Sequence, residues 1–381
     1  MNQPSLAPRF LYIFCIGYAL ILILKANSLL PYFSMGMIGL GFIFGINSAG
    51  GKSYAGIILL IALIFPLAAI NSIISSNPSD TSLKWVLWLT TLFGMFLMAQ
   101  RSGPSVDEDL CKKTAFGFFI IWLFLAIKGN AMAESSKEMT KSLHLSAFYA
   151  NLLISSALFI PNKFLRLMLV LIGVGGALTS GSRAAFLFLP LVFLSGFAYY
   201  YKGKISTIFT VGLLTVGLYF VLQNETLNAF TFGRKNVEST SIDSIESAQK
   251  SGGGRAVLRD IGMDYIKQKP LGYGYGQSFE IYLGEKSLGN NLHNGYLNVA
   301  TQMGVHVFLI YMTFIFWIYY QLAYNQRISR RFRFFTMSIL TCVFLRAVSE
   351  SFSLFDLGHP AAFFSIFLIS LLVTRMRNLR Q

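Results

Sequence analysis

Residues 252–304 read GGGRAVLRDIGMDYIKQKPLGYGYGQSFEIYLGEKSLGNNLHNGYLNVATQMG, and they interrupt a chain that is apolar on both sides. The stretch gathers arginines, glycines, asparagines and one histidine, His293, into a polar segment long enough to fold. The contrast predicts a membrane-embedded scaffold that holds this segment against the bilayer. Any chemistry is expected within the polar segment.

Working outward, hydrophobic residues make up 54% of the chain and charged residues 12%. That excludes an ordinary soluble domain, in which about a quarter of residues are charged. A crossing needs roughly 20 apolar residues, with shorter runs tolerated, so about twelve spans are predicted. They lie near 10–24, 29–46, 54–74, 83–99, 114–127, 145–160, 164–178, 184–200, 205–222, 305–322, 335–349 and 361–374. The predicted fold class is therefore an all-α polytopic membrane protein. It divides into 1–222 with nine spans, 223–304 as a large, mostly helical outward loop domain, and 305–381 with three spans and a tail.

The formal charge of +15 is a topology signal. With the N-terminus inside, the inner segments hold sixteen Lys and Arg and the short outer segments seven, the long loop set aside. This positive-inside bias predicts cytoplasmic termini and an outward-facing 223–304 loop. It also argues against nucleic acid as a partner. Cys15 and Cys342 fall in predicted spans and Cys111 in an inner loop, so no disulfide framework is implied. The first apolar run lacks a small-residue cleavage site and reads as a retained span.

Several local patterns carry little chemistry. SAGGKS at 48–53 lacks P-loop spacing and reads as a turn. Asp107, Glu108 and Asp109 read as a solvated charge cluster, and 128–144 as an outer loop in which Lys137 and Lys141 are one helical turn apart.

Other patterns are sharper. In TSGSRAAFLF (179–188), Gly181 permits a tight turn and Ser180 or Ser182 can cap the following helix. Arg183 then stands in the first turn, against the helix dipole, a position that an anionic partner would stabilise. A helix is predicted from about Arg255 to Lys267, ended by Pro270, with Arg255 and Arg259 on a shared face. In PLGYGYGQSF the alternating glycines suit close backbone approach to a ligand, and Tyr273 and Tyr275 suit sugar stacking. The dinucleotide fingerprint is absent. His293 is flanked by Asn290, Asn291 and Asn294, whose amides can orient an imidazole. Arg346 and Glu350 are spaced to pair at the end of a span.

Arginine forks bind phosphate oxygens without a cation, and a neutral histidine accepts a hydroxyl proton near neutral pH. Together, Arg183, Arg255, Arg259 and His293 suit displacement of a lipid diphosphate from a sugar C1 by a hydroxyl acceptor. No metal or other cofactor is called for. The substrate-facing set is completed by Asn291, Asn294, Tyr273, Tyr275 and Arg346.

These residues resemble the O-antigen ligase and polymerase family. The resemblance rests on GSRAAF around Arg183, on GGRAVLRDIGMDYIKQKPLGYGYGQSF, and on His293–Asn294 followed by GYLNVATQMG. It covers 179–304 closely. It implies a metal-independent, GT-C-like enzyme of the bacterial inner membrane that transfers glycan from undecaprenyl diphosphate on the periplasmic side. The family's essential residues map to Arg183, Arg255 and His293. The implied partners are that donor, a lipid A-core or lipid-linked glycan acceptor, and membrane lipids. A ligase is favoured slightly over a polymerase. A non-catalytic carrier would instead place cations at several membrane depths, and an intramembrane protease would need a serine–histidine or paired-aspartate arrangement within the spans.

Overall fold

The computed structural model describes residues 6–23, 33, 36, 39, 55–100, 106–131, 136–180, 183–201, 254–277, 281–283, 286–289, 292, 294–350, 353–355 and 360–378. In chain order the helices are α1 (Leu6–Ile23), α2 (Ala55–Ile73), α3 (Pro78–Gln100), α4 (Val106–Ala131), α5 (Ser136–Ala157), α6 (Lys163–Thr179) and α7 (Arg183–Tyr200). Next come α8 (Gly254–Gln268), an antiparallel hairpin of β1 (Ile281–Leu283) and β2 (Lys286–Gly289), α9 (Gly295–Met303), α10 (Val305–Tyr324), α11 (Arg330–Ser349) and α12 (Pro360–Asn378). Ten of the twelve predicted spans fall on these helices. The other two, 29–46 and 205–222, lie outside the described residues apart from 33, 36 and 39.

Among the described residues, three helical stretches are long and apolar enough to cross a membrane: Pro78–Ala99, Asp107–Gly129 and Val305–Tyr324. Four shorter apolar stretches lie in α1, α2, α7 and α12. Within the predicted loop domain, α8 and α9 fit the helical expectation, and the small β1–β2 hairpin was not foreseen.

The bundle is centred on α5 and α12. Helix α5 packs against α4, α6, α7 and α11, and Ala150, Leu152, Leu153, Ile154 and Ala157 are completely buried. Helix α12 is buried from Pro360 to Leu372 and packs against α1, α3 and α11. Peripheral helices bury one stripe only. On α10 the buried residues are Val307, Tyr311, Ile315, Ile318 and Leu322, at helical spacing, while Leu309, Phe316, Tyr320 and Tyr324 are exposed on the other side. An apolar outer face edged with tyrosine suits contact with lipid. On α6 the glycines at 173 and 176 bring the backbone close to Ile154 and Trp122, the small-residue contact typical of membrane helices.

Two sequence expectations need correction. The 128–144 segment is mostly helix, because α4 runs to Ala131 and α5 starts at Ser136. Lys, Glu and Met in SKEMTKSLH are good helix formers, so the helix extends beyond its apolar part. The acidic cluster at 107–109 opens α4 and is not uniformly solvated. Glu108 and Asp109 pair with Lys112 and Lys113 one turn on, but Asp107 is buried. Its carboxylate lies 2.6 Å from the Arg375 guanidinium and accepts a hydrogen bond from Ser329. Arg375 also stacks over the Phe332 ring at 4.1 Å. The starts of α4 and α11 are thereby clamped to the end of α12.

Helix polarity follows from end contacts. Arg330, at the start of α11, donates to the Ala198 carbonyl near the end of α7. These packed helices are therefore antiparallel, and the start of α7 lies toward the end of α11. At that same end Asn294, preceding α9, donates to the Val348 carbonyl at 3.2 Å.

Candidate functional site

The loop after α8 is seated on the end of the bundle by its own backbone. Four successive N–H groups have acceptors. Tyr273 donates to the Thr301 carbonyl at 3.0 Å, Gly274 to the Gln302 carbonyl at 2.8 Å, Tyr275 to Asn71 Oδ1 at 2.9 Å, and Gly276 to Gln302 Oε1 at 3.1 Å. Lys84 Nζ donates to the Gly276 carbonyl at 2.7 Å and pairs with Asp80, while Gln277 reaches Asp80 and Thr81. Lys269 closes the other side on the Ile74 carbonyl. The turn between α2 and α3 is thus the floor on which the loop rests.

The glycines explain how the backbones come this close. Gly272 and Gly274 have φ of 92° and 117°, in the left-handed region that favours glycine. A Cβ on Gly272 would stand 2.5 Å from the Gly304 nitrogen, and one on Gly274 would overlap Ser75. The close approach expected of GYGYG is made to the protein's own chain. Tyr275 is likewise enclosed, 8% exposed, with its ring edge-on to Trp85 at 5.2 Å and its hydroxyl donating to the Phe355 carbonyl. Tyr273 keeps a partly exposed ring, edge-on to Tyr265 at 5.7 Å and beneath Lys269. Burial and the neighbouring Tyr265 raise its phenol above the usual tyrosine range.

Helix α9 leads back into the bundle. Asn294 caps it: Oδ1 accepts from the N–H groups of Tyr296 and Leu297, each at 3.0 Å. This satisfies two of the free donors at a helix start. Tyr296 donates to the Phe344 carbonyl on α11 at 3.0 Å, and burial pushes its phenol up to about 12. Helix α8 lies against α9 through Leu258, Ile261 and Tyr265, which meet Leu292 and Leu297. Gly304, with φ of 93°, turns the chain directly into α10.

The predicted site residues are distributed as follows. Arg183 is the first residue of α7, and Arg255 lies in the first turn of α8; their side chains are outside the described set. His293 and Asn291 lie outside the described residues, flanking Leu292 and just ahead of the Asn294 cap. Arg259 is exposed, 3.4 Å from Asp260. Arg346 is buried at the end of α11, 3.7 Å from Glu350 as its spacing suggested, with the Phe148 ring beneath it at 5.4 Å. The antiparallel packing places the starts of α7 and α9 at this Arg346 end. Ser180 turns back to the Ala177 carbonyl and closes α6.

Sequence reading missed the residues that seat the loop, above all Asn71 and Gln302. Asn71 is completely buried within FPLAAINSII (65–74), and a buried amide in an apolar run needs hydrogen-bond partners. That was the available signal.

A helical membrane bundle with a polar segment docked on one end describes the class. Residues 167–312 match the family model described as O-Antigen ligase. The match spans less than half of the chain and is a likeness of that segment to the family. The matched segment includes Arg183, Arg255 and His293 and stops short of Arg346. No curated protein and no solved structure matches the chain.

Proposed function

We propose that the protein is an O-antigen ligase. It transfers a glycan from undecaprenyl diphosphate to a lipid A-core hydroxyl, on the periplasmic face of the bacterial inner membrane. The observation that carries this reading is positional. Within the family-matched segment, Arg183 opens α7, Arg255 lies in the first turn of α8, and His293 immediately precedes the cap of α9. Helix starts carry partial positive charge and free N–H groups, which favour a diphosphate. Arginines there add bidentate donors.

In the reaction, the acceptor oxygen bonds to sugar C1 as the C1–O bond to the diphosphate breaks. The leaving undecaprenyl diphosphate is neutralised by Arg183 and Arg255, with Arg259 assisting. His293 takes the proton from the attacking hydroxyl. A single displacement inverts the configuration at C1. The partly open ring of Tyr273 offers a face for the glycan, and Arg346 lies at the same end of the bundle. Asn291 and Asn294 belong to the same outer segment, residues 223–304. Cytoplasmic termini, a GT-C-like arrangement and about twelve spans complete the reading.

The second reading, a polymerase joining lipid-linked repeat units, uses the same machinery with a different acceptor. Purified protein in nanodiscs, given donor in EDTA, separates the two. Product on lipid A-core supports a metal-independent ligase, and lengthening lipid-linked chains support the polymerase. No product in either tube from folded protein favours a non-catalytic carrier.

A further inference from the structure

Asn71 lies in α2, distant in sequence from the polar segment, and its side chain is completely buried. Its carboxamide joins four elements. Oδ1 accepts from Trp85 Nε1 of α3 at 3.1 Å and from the Tyr275 N–H of the glycine loop at 2.9 Å. Nδ2 donates to the Gln302 carbonyl near the end of α9 at 3.0 Å. That carbonyl also accepts from Gly274, and Gln302 Oε1 accepts from Gly276. Asn71 and Gln302 therefore fix the loop that follows α8 and the last turn of α9 against the same floor.

We propose that Asn71 is a positioning residue for glycan transfer: through Gln302 and Tyr275 it sets the place of α9, the helix that begins two residues after His293 in the sequence. The inference rests on the transfer reading above. Helix α9 has nine residues and is about 13 Å long, so a tilt of about 5° at Gln302 moves its start by about 1 Å. Misplacement on that scale can lower a rate about 100-fold. An amide is the group required, since it offers an acceptor to two N–H donors and a donor to a carbonyl. A carboxylate would turn the third bond into oxygen facing oxygen, and an alkyl group would leave buried polar groups unpaired.

The test uses the full-length protein in nanodiscs, comparing wild type, Asn71→Asp and Asn71→Leu. The readouts are kcat, donor KM, and amide hydrogen exchange at residues 273–276. Both variants should lose about 10- to 100-fold in kcat, with donor KM little changed and faster exchange at 273–276. As pH falls, the activity of Asn71→Asp relative to wild type at the same pH should recover, because the protonated carboxyl regains a donor for Gln302. Asn71→Leu should show no recovery. Wild-type kcat in both variants overturns the proposal. So does a loss of activity that tracks loss of folded protein with no recovery on acidification.

Should neither variant fold, Trp85→Phe removes one bond to Oδ1. It should lower kcat several-fold, and an unchanged kcat overturns the proposal. If wild type itself transfers no glycan, the transfer reading fails. Exchange at 273–276 still reads the positioning, and unchanged exchange in the Asn71 variants overturns it.

Discussion

The Asn294 side chain donates to the Val348 carbonyl at 3.2 Å while its oxygen accepts the first free N–H groups of α9. One residue thus caps a helix and ties it to the end of α11. Asn294→Ala should cost about 1–2 kcal/mol from the lost cap, with the Val348 link lost as well. Asn294→Asp keeps the acceptor and loses the donor, so its thermal midpoint should lie between those of wild type and Asn294→Ala. Equal midpoints for all three proteins would show that neither bond contributes.

Gly274 is the tightest point of the seated loop. Gly274→Ala places a methyl group into Ser75 and Thr81 at a φ that side chains rarely adopt. The backbone strain alone is worth about 1–3 kcal/mol. The variant should give less folded protein and a lower unfolding midpoint. Gly175→Ala, where a Cβ meets open space, should behave as wild type. Indistinguishable midpoints for the two variants would remove the argument from close approach.

At the other end of the bundle, Asp107 and Arg375 form a pair at 2.6 Å whose side chains are 11% and 12% exposed. Breaking a buried pair by removing one partner costs about 3–5 kcal/mol, because the other charge is left without compensation. Asp107→Asn should therefore destabilise strongly, and Asp107→Asn combined with Arg375→Gln should recover part of the loss. A double variant whose loss equals the sum of the single losses would mean that the two residues act independently.

Tyr296 supplies a pH signature outside the spans. Its phenol is raised from the ordinary value of 10.0 to about 12 by burial. The folded state therefore holds the proton more tightly than the unfolded state. Stability from this group is complete below pH 10 and is lost as pH rises from about 10 to 12. In that window Tyr296→Phe should flatten the fall in stability relative to wild type. Parallel curves would mean that the phenol is solvated.

The helices were legible because apolar runs of membrane length leave few alternatives, as at 305–322, which the structure gives as Val305–Tyr324. Helix α8 was legible from Pro270 and its apolar spacing. Long-range partners were harder to see. The alternating glycines announced a close approach without naming the surface, which for Gly274 is the α2–α3 turn some 200 residues earlier in the chain and for Gly272 the junction of α9 and α10 at Gly304. The burial of Asp107 depends on Arg375 near the far end of the sequence, so a local reading took it for a solvated acid. Asn294 was read as company for a histidine, although Asn ahead of GYLNVATQM is also a helix-capping pattern. Tyr275 offered only an aromatic ring in a loop, and the aromatic cluster of Trp85 and Phe355 that encloses it comes from two distant elements.

The central claim is that Arg183, Arg255 and His293 carry glycan transfer. Its most direct test is the initial rate of product formation by wild type, Arg183→Ala, Arg255→Ala and His293→Ala in nanodiscs, each shown to be folded by its unfolding midpoint. The account predicts wild-type midpoints with rates lowered by about 100-fold or more, the scale of a lost general base. Transfer at the wild-type rate by folded His293→Ala or Arg183→Ala protein would contradict it.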